Sequence, residues 1–365
     1  MSTFVLMAGG TGGHLFPAQA LAEELRRRGH IVQLMTDHRV GDYGTFPARE
    51  IDIIPSATPS VRSPLRFVVA SLKIGQGVGT AWWKLRRAKP DAVIGFGGYP
   101  IFPPFLAARL RGTPGLLHEQ NAVMGRANRA LARWASGIAL SFAQTKYADA
   151  FAAKSTLTGN PVRDKVRAVA GTPYPELPAN GPIRLVVFGG SQGAHAFAEI
   201  VPPAIAELHT DLRSRLRIVQ QCRPEDLELV AAAYRSAHVN CELQSFFADL
   251  PERMAQSHLV ISRAGASTVA ELTVLGRPAI LVPLPGALDA DQRNNAQVME
   301  AAGGGWIMEQ AQISPLSLAK RLTELFGDPT RLEAAAAAAR SLGQPRAVEH
   351  LADLAEGLAG RGKNV

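Results

Sequence analysis

A chain of 365 residues, 47% hydrophobic and 19% charged, has room for two domains that each bury a core of their own. Its 39 Lys and Arg against 31 Asp and Glu leave a net charge of +8, a balance that suits anionic lipid or phosphorylated ligands, while no nucleic-acid-binding motif is present. Cys222 and Cys241, the only cysteines, exclude a disulfide scaffold and read as apolar fillers in a reducing compartment, and no run reaches the roughly 18 apolar residues of a membrane span.

The chain opens on an apolar strand, Thr3–Met7, rather than on a basic region and an apolar run, so no signal peptide is expected. The strand runs into Gly9-Gly10-Thr11-Gly12-Gly13-His14. A dinucleotide fingerprint would need a third glycine where Leu15 stands, although Asp37 sits where a ribose-binding acid belongs. The paired glycines instead predict an open turn whose amides face a diphosphate. Pro17 is then placed in the first turn of an amphipathic helix, Pro17–Arg28, stopped by Gly29. His14 falls at the start of that helix, where the dipole favours a neutral imidazole. It is a candidate base for an attacking hydroxyl; capping or phosphate contact is the plainer role.

A strand over Ile31–Met35 follows. Pro64–Lys89 then mixes Leu65, Phe67, Val68, Leu72, Trp82 and Trp83 with Arg66, Lys73, Lys84, Arg86, Arg87 and Lys89, with no acid between Arg62 and Lys89. Leu65–Lys89 fits an anionic membrane surface, and a core helix with a basic outer face is the plain alternative. Strand Ala92–Ile94 leads into another glycine turn, Gly95-Phe96-Gly97-Gly98-Tyr99-Pro100. Strand Gly115–Leu117 ends in His118-Glu119-Gln120-Asn121, with Asn128 two turns further on, and strand Ile138–Leu140 follows. His14, His118 and Glu119 lack metal-ligand spacing and no Asp-x-Asp pair ends a strand, so no metal is expected. Strands alternating with helices predict a parallel sheet.

Gly159-Asn160-Pro161 and the Pro/Gly-rich stretch Gly171–Pro182 mark a break. The alternation resumes with strands over Ile183–Phe188, Leu216–Gln220, Val239–Leu243, Leu259–Ser262 and Ala279–Val282. The first ends in Gly189-Gly190-Ser191-Gln192-Gly193, with Ser191 as a hydroxyl donor; His195 follows and reads as structural. After the fourth comes a corner of small residues, Arg263-Ala264-Gly265-Ala266-Ser267-Thr268, open to a ligand at its amides. On spacing alone Glu271 is a dipole or surface carboxylate; accepting from two ribose hydroxyls is its functional alternative. Gln292 and Asn295 lie in an amide-rich loop that reads either as a sugar contact or as a plain turn. Ala334–Ala339 is helical by propensity, and a helix after Pro345 is expected to return to the first domain. Three glycine turns favour two phosphorylated ligands, a nucleotide-activated donor and a second substrate.

Taken in order, the runs GGTGGHLFPA (9–18), GFGGYP (95–100), HEQNAVMG (118–125), GNPVR (159–163), GGSQGA (189–194) and SRAGASTVAEL (262–272) resemble the bacterial N-acetylglucosaminyltransferases that convert lipid I to lipid II in peptidoglycan synthesis. The resemblance implies an α/β GT-B fold, two Rossmann-like domains with parallel sheets facing a cleft. It assigns 1–160, completed by a helix at about 346–365, to acceptor and membrane, and 161–345 to UDP-GlcNAc. It implies UDP-GlcNAc contacts at Thr11, Gly12, Gly13, Asn121, Arg163 and Ser191, and at Phe247, Ala266, Ser267, Thr268, Glu271, Gln292 and Asn295. Gly10, Gly13, Gly97, Gly98, Tyr99 and Asn128 would hold the lipid I diphosphate. His14 would activate the muramyl 4-hydroxyl, with inversion at the anomeric carbon, release of UDP and no cofactor. The implied partners are UDP-GlcNAc, lipid I, the membrane and proteins of cell-wall synthesis, at the cytoplasmic face of the bacterial inner membrane. Another GT-B glycolipid glycosyltransferase would lack the GGTGGH and HEQN pairing. A UDP-GlcNAc epimerase would need a catalytic acid pair, and none is recognised. A nucleotide-binding or dehydrogenase module is disfavoured by the missing third glycine.

Overall fold

Short apolar runs between glycine turns become strands buried on both faces, and two all-parallel sheets are built from them. The computed structural model describes residues 1–9, 12–38, 46–57, 64–190 and 194–361, without the side chains of 64–66, 288 and 361. It divides into two compact units, Met1–Arg163 with Arg346–Val365, and 164–345.

The first unit begins β1 (Thr3–Met7), α1 (Gly12–Arg27), β2 (Ile31–Thr36), β3 (Ile51–Ile53) and α2 (Pro64–Ala88). It continues β4 (Ala92–Gly95), α3 (Phe102–Leu110), β5 (Gly115–Glu119), α4 (Arg126–Ala132), β6 (Gly137–Leu140) and β7 (Ser155–Leu157). The strand order is β3-β2-β1-β4-β5-β6-β7, so the winding reverses between β1 and β4. Alternate residues of β1 feed two cores: Phe4 and Leu6 pack on the α1 side, Val5 and Met7 on the side of α2 to α4.

The second unit runs α5 (Asp164–Ala168), β8 (Ile183–Phe188), α6 (His195–Ala206), α7 (Thr210–Arg215), β9 (Leu216–Gln221), α8 (Leu227–Ser236) and β10 (Asn240–Gln244). Then come α9 (Leu250–Ala255), β11 (Leu259–Ser262), α10 (Ala266–Leu275), β12 (Ala279–Leu281), α11 (Asp291–Ala301), β13 (Gly305–Ile307), α12 (Pro315–Phe326) and α13 (Pro329–Ser341). Its order, β10-β9-β8-β11-β12-β13, reverses between β8 and β11. The last helix, α14 (Ala347–Arg361), belongs to the first unit. Leu351, Ala352, Ala355, Leu358 and Ala359 form its buried stripe, in one core with Leu21 and Leu25 of α1. Arg28 ties the two helices: Nη1 donates to Asp353 at 2.6 Å and to Glu356 at 2.8 Å, and Nε to Glu24 at 2.6 Å.

Two expectations change, and three short strands went unread. Pro17 stands inside α1 and not in its first turn, because the helix already begins at Gly12. The missing amide leaves only the carbonyl of Gly13 without its intrahelical partner, a modest loss so close to the helix start. The third strand of the second sheet is Asn240–Gln244, one residue later than expected. Strands β3, β7 and β13, three residues each, carry too little pattern to be read; in β3 the apolar Ile51 and Ile53 are the exposed pair and Asp52 is buried against Lys84.

Candidate active site

In an open doubly wound sheet, ligands sit beyond the strand ends where the winding reverses. At that point of the first unit the turn after β1 meets the turn after β4: Gly9 N donates to Gly97 O at 3.3 Å. His14, the third residue of α1, lies against both turns. A methyl group on Gly97 would stand 3.1 Å from His14 Cδ2 and 3.2 Å from Nε2; one on Gly9 would stand 3.5 Å from Nδ1 and one on Gly98 3.5 Å from Cε1. Gly97 and Gly98 also have φ of +92° and +77°, a region that L side chains avoid. Gly97 therefore makes room for the imidazole, while Gly9 and Gly98 lie at ordinary contact distance from it. Gly12 and Gly13 open α1, Gly13 exposed, while Gly10 and Thr11 lie outside the described residues.

His14 opens onto a cavity of about 760 Å³ shared with Gly98 and Tyr99. The cavity is also walled by Asp37 and His38, by the segment after β3 around Ile54 and Pro55, and by Lys73 and Gln76 of α2. Helix α2 approaches this wall closely at Gly77, whose absent Cβ would fall 2.0 Å from the Pro55 carbonyl.

The His118–Asn121 run supports this corner from beneath. His118 is fully buried; its Nε2 donates to Gly159 O at 3.1 Å and its Nδ1 accepts from Gln120 Nε2 at 2.9 Å, which fixes the neutral tautomer. Burial lowers its pKa to about 4. The buried Glu119 carboxylate accepts from Asn121 N at 3.0 Å, Gly125 N at 2.9 Å and Asn128 Nδ2 at 2.8 Å. Burial pushes its pKa up and these donors hold it back. Asn128 is buried, with Nδ2 donating to Glu119 and to His118 O at 3.2 Å, so it braces the loop under the glycine turn. Asn121 is partly buried, held by Glu119 through both its backbone and side-chain nitrogens.

In the second unit, Gly189 and Gly190 follow β8 and the corner 263–268 follows β11, so both again flank the reversal point. Ser191 lies outside the described residues. Gly265 caps α10 with no side-chain hydrogen bond, so the amides of Ala266, Ser267 and Thr268 form an anion-receptive first turn. The buried Ser267 Oγ has no hydrogen-bond partner in the protein. Glu271 is buried in the second turn. Gln292 Oε1 accepts from Leu284 N at 2.9 Å, shaping the loop after β12. Asn295 is fully buried, and its Nδ2 donates to Ala264 O at 3.1 Å, which holds the corner in place. Phe247 is buried with the Arg253 guanidinium 4.7 Å from its ring, whereas its neighbour Phe246 is 67% exposed. Arg163, partly buried, ends the first unit's main segment. His195 is held structurally, Nδ1 to Asp226 at 2.8 Å.

Arg263 escaped the sequence reading. Its buried guanidinium donates to Val282 O at 3.1 Å, Pro283 O at 3.3 Å and Gln310 Oε1 at 2.6 Å, and lies 5.1 Å from the Phe197 ring of α6. One side chain thus ties the ends of β11, β12 and β13. An arginine amid Ser, Ala and Gly at a strand end was the available signal.

Helix α2 carries an exposed apolar face: Phe67 is 45% exposed, Leu72 69% and Trp83 53%. Arg87 lies 4.8 Å from the Trp83 ring, and Arg111, which caps α3, 5.3 Å from the Trp82 ring. Ala70, Ala81 and Leu85 face inward, so the helix serves the core and presents a greasy basic surface as well. No helix among the described residues is long and apolar enough to cross a membrane.

Residues 4–140 match the glycosyltransferase family 28 N-terminal domain and residues 184–353 the family 28 C-terminal domain. With two parallel sheets, each bearing a glycine corner at its reversal point, these matches define a two-domain glycosyltransferase of the GT-B class. The UDP-N-acetylglucosamine–N-acetylmuramyl-(pentapeptide) pyrophosphoryl-undecaprenol N-acetylglucosamine transferase of Methylobacterium sp. (strain 4-46) is 56% identical over 353 residues, 96% of this chain and 95% of that protein. The protein of the same name from Methylobacterium nodulans is 55% identical over 354 residues, 96% and 95% of the two chains. The crystal structure of Acinetobacter baumannii MurG is 33% identical, with a TM-score of 0.79 over 97% of this chain and 99% of that one. The chain belongs to the family of UDP-N-acetylglucosamine–N-acetylmuramyl-(pentapeptide) pyrophosphoryl-undecaprenol N-acetylglucosamine transferases.

Proposed function

We propose that this enzyme transfers GlcNAc from UDP-GlcNAc to the 4-hydroxyl of MurNAc in lipid I, giving lipid II and UDP. The observation that carries the reading is the His14 imidazole, seated on Gly9, Gly97 and Gly98 at the reversal point and opening onto a cavity. His14 takes the proton of the 4-hydroxyl as its oxygen attacks the anomeric carbon from the face opposite UDP, so an α-linked donor gives a β-linked product. The first unit, which holds 1–160 and the helix at about 346–365, is the acceptor unit, and the second unit, 164–345, is the donor unit. In the donor unit the first-turn amides of α10 meet the diphosphate, Glu271 the ribose, and Gln292 the sugar. The backbone around Phe247 borders the base, where the exposed Phe246 ring offers a stacking face. Amide dipoles at a helix start favour the diphosphate leaving group.

Lipid I is a membrane substrate, and the exposed apolar and basic face of α2 and α3 is the peripheral contact, at the cytoplasmic leaflet where anionic headgroups meet Arg86, Arg87 and Arg111. The test is transfer of labelled GlcNAc from UDP-GlcNAc to a short-chain lipid I analogue with EDTA present. Product that requires both substrates and survives EDTA is the expected result. UDP-GlcNAc binding without transfer would move the acceptor assignment to another glycolipid, and UDP-GlcNAc converted without acceptor would favour the epimerase reaction.

A further inference from the structure

Lys73 and Gln76 sit on the helix whose outer surface is apolar, yet both line the cavity that holds His14. Leu72, the residue before Lys73, and Val69, one turn earlier, are among the most exposed apolar side chains of the first unit. The same turn of α2 therefore borders the lipid-facing surface and the cavity where a hydroxyl meets the imidazole. In a lipid-linked sugar the diphosphate is the covalent bridge between chain and ring. With the ring at His14 and the chain along Val69 and Leu72, that bridge must pass this turn. At the glycine turn after β4 the imidazole already takes up the space beside Gly97, 3.1 Å from where a methyl group there would stand. We infer that Lys73, assisted by Gln76, binds the acceptor diphosphate. Lysine chemistry suits such a ligand, because a compact ammonium on a flexible stem can follow a diphosphate without demanding one fixed geometry. Lys73 is exposed, so its ammonium is open to an incoming ligand.

This inference rests on the proposed acceptor chemistry, and its test separates the two. Wild type, Lys73→Gln and Lys73→Arg are compared on a water-soluble, short-chain lipid I analogue without vesicles. The acceptor KM of Lys73→Gln should rise about tenfold to a hundredfold, the size expected for a lost charge-assisted hydrogen bond, with the UDP-GlcNAc KM unchanged and Lys73→Arg restoring most of the loss. An analogue with its stem-peptide carboxylates amidated should show the same penalty; a penalty that disappears there would assign Lys73 to the peptide and overturn the diphosphate assignment. An unchanged acceptor KM together with weakened retention on phosphatidylglycerol vesicles would make Lys73 a membrane contact only. Failure of the wild type to transfer GlcNAc to any lipid I analogue would instead sink the acceptor reading itself.

Discussion

At the scale of single residues, two histidines divide the labour of the first unit. His14 has its ring in the cavity and glycines beneath it, which is a position for chemistry. Replacing it with Ala should lower turnover by about 10²- to 10⁴-fold while UDP-GlcNAc affinity, measured by calorimetry, stays near wild type. Turnover close to wild type would remove His14 from the base role. His118 is sealed in as a neutral imidazole, its pKa lowered by burial from 6.5 to about 4. Between those values the unfolded chain binds a proton that the folded chain does not. The stabilisation is therefore complete above about pH 6.5 and is lost as pH falls through about 4, on the order of 3 kcal/mol from this group. Urea unfolding of wild type and His118→Gln should show the wild-type margin shrinking across that window; a constant margin would mean the ring is not held neutral. The sequence offered both histidines at strand or helix ends, but not their difference. That Gly97 serves His14 was hidden too, because the two stand 83 positions apart and only the β1–β4 pairing brings them together.

At the scale of elements, what was legible followed from pattern length. The long apolar strands and their glycine turns were readable because burial on both faces leaves continuous Val, Ile and Leu runs bounded by residues that can turn. Three-residue edge strands left no such trace. Helix α2 was readable as greasy and basic, yet not as a cavity wall, since periodicity cannot say which turn faces a neighbouring loop. Gly77 is where that wall is set. On helix propensity alone Gly77→Ala should stabilise α2 by about 1 kcal/mol. The added methyl would fall 2.0 Å from the Pro55 carbonyl and 3.0 Å from Pro103 Cβ, and backbone cannot yield as a side-chain tip can. The steric conflict wins. The substitution should lower the melting temperature and raise the acceptor KM together, and a stabilised variant would show that α2 is not seated on Pro55. In the second unit Arg277 acts as a comparable fixture: fully buried, it donates to the carbonyls of Leu275 at 2.7 Å, Gly276 at 3.0 Å and Pro173 at 2.9 Å. It thereby pins the Pro/Gly-rich stretch Gly171–Pro182 to the far end of α10, whose first turn is the candidate phosphate cradle.

At the scale of the whole molecule, two sheets of the same winding were foreseeable from the repeated alternation, and so was the return of the last helix. The price of that return was not: α14 supplies five side chains to the core between α1 and the sheet. Leu351→Ala, at a fully buried site, should cost the first unit about 2–5 kcal/mol. Hydrogen exchange should then show β1, β4 and β5 losing protection while β8 and β11 keep theirs; uniform loss would mean the units unfold as one. The same feature governs how the protein is born. A ribosome delivers β1 to β7 first, then all of the second unit, and only afterwards the helix that closes the first core. The nascent chain must therefore carry an unfinished, greasy half through most of its synthesis, while the second unit can already fold from its own residues. Chaperone dependence should accordingly fall on the part of the chain made earliest.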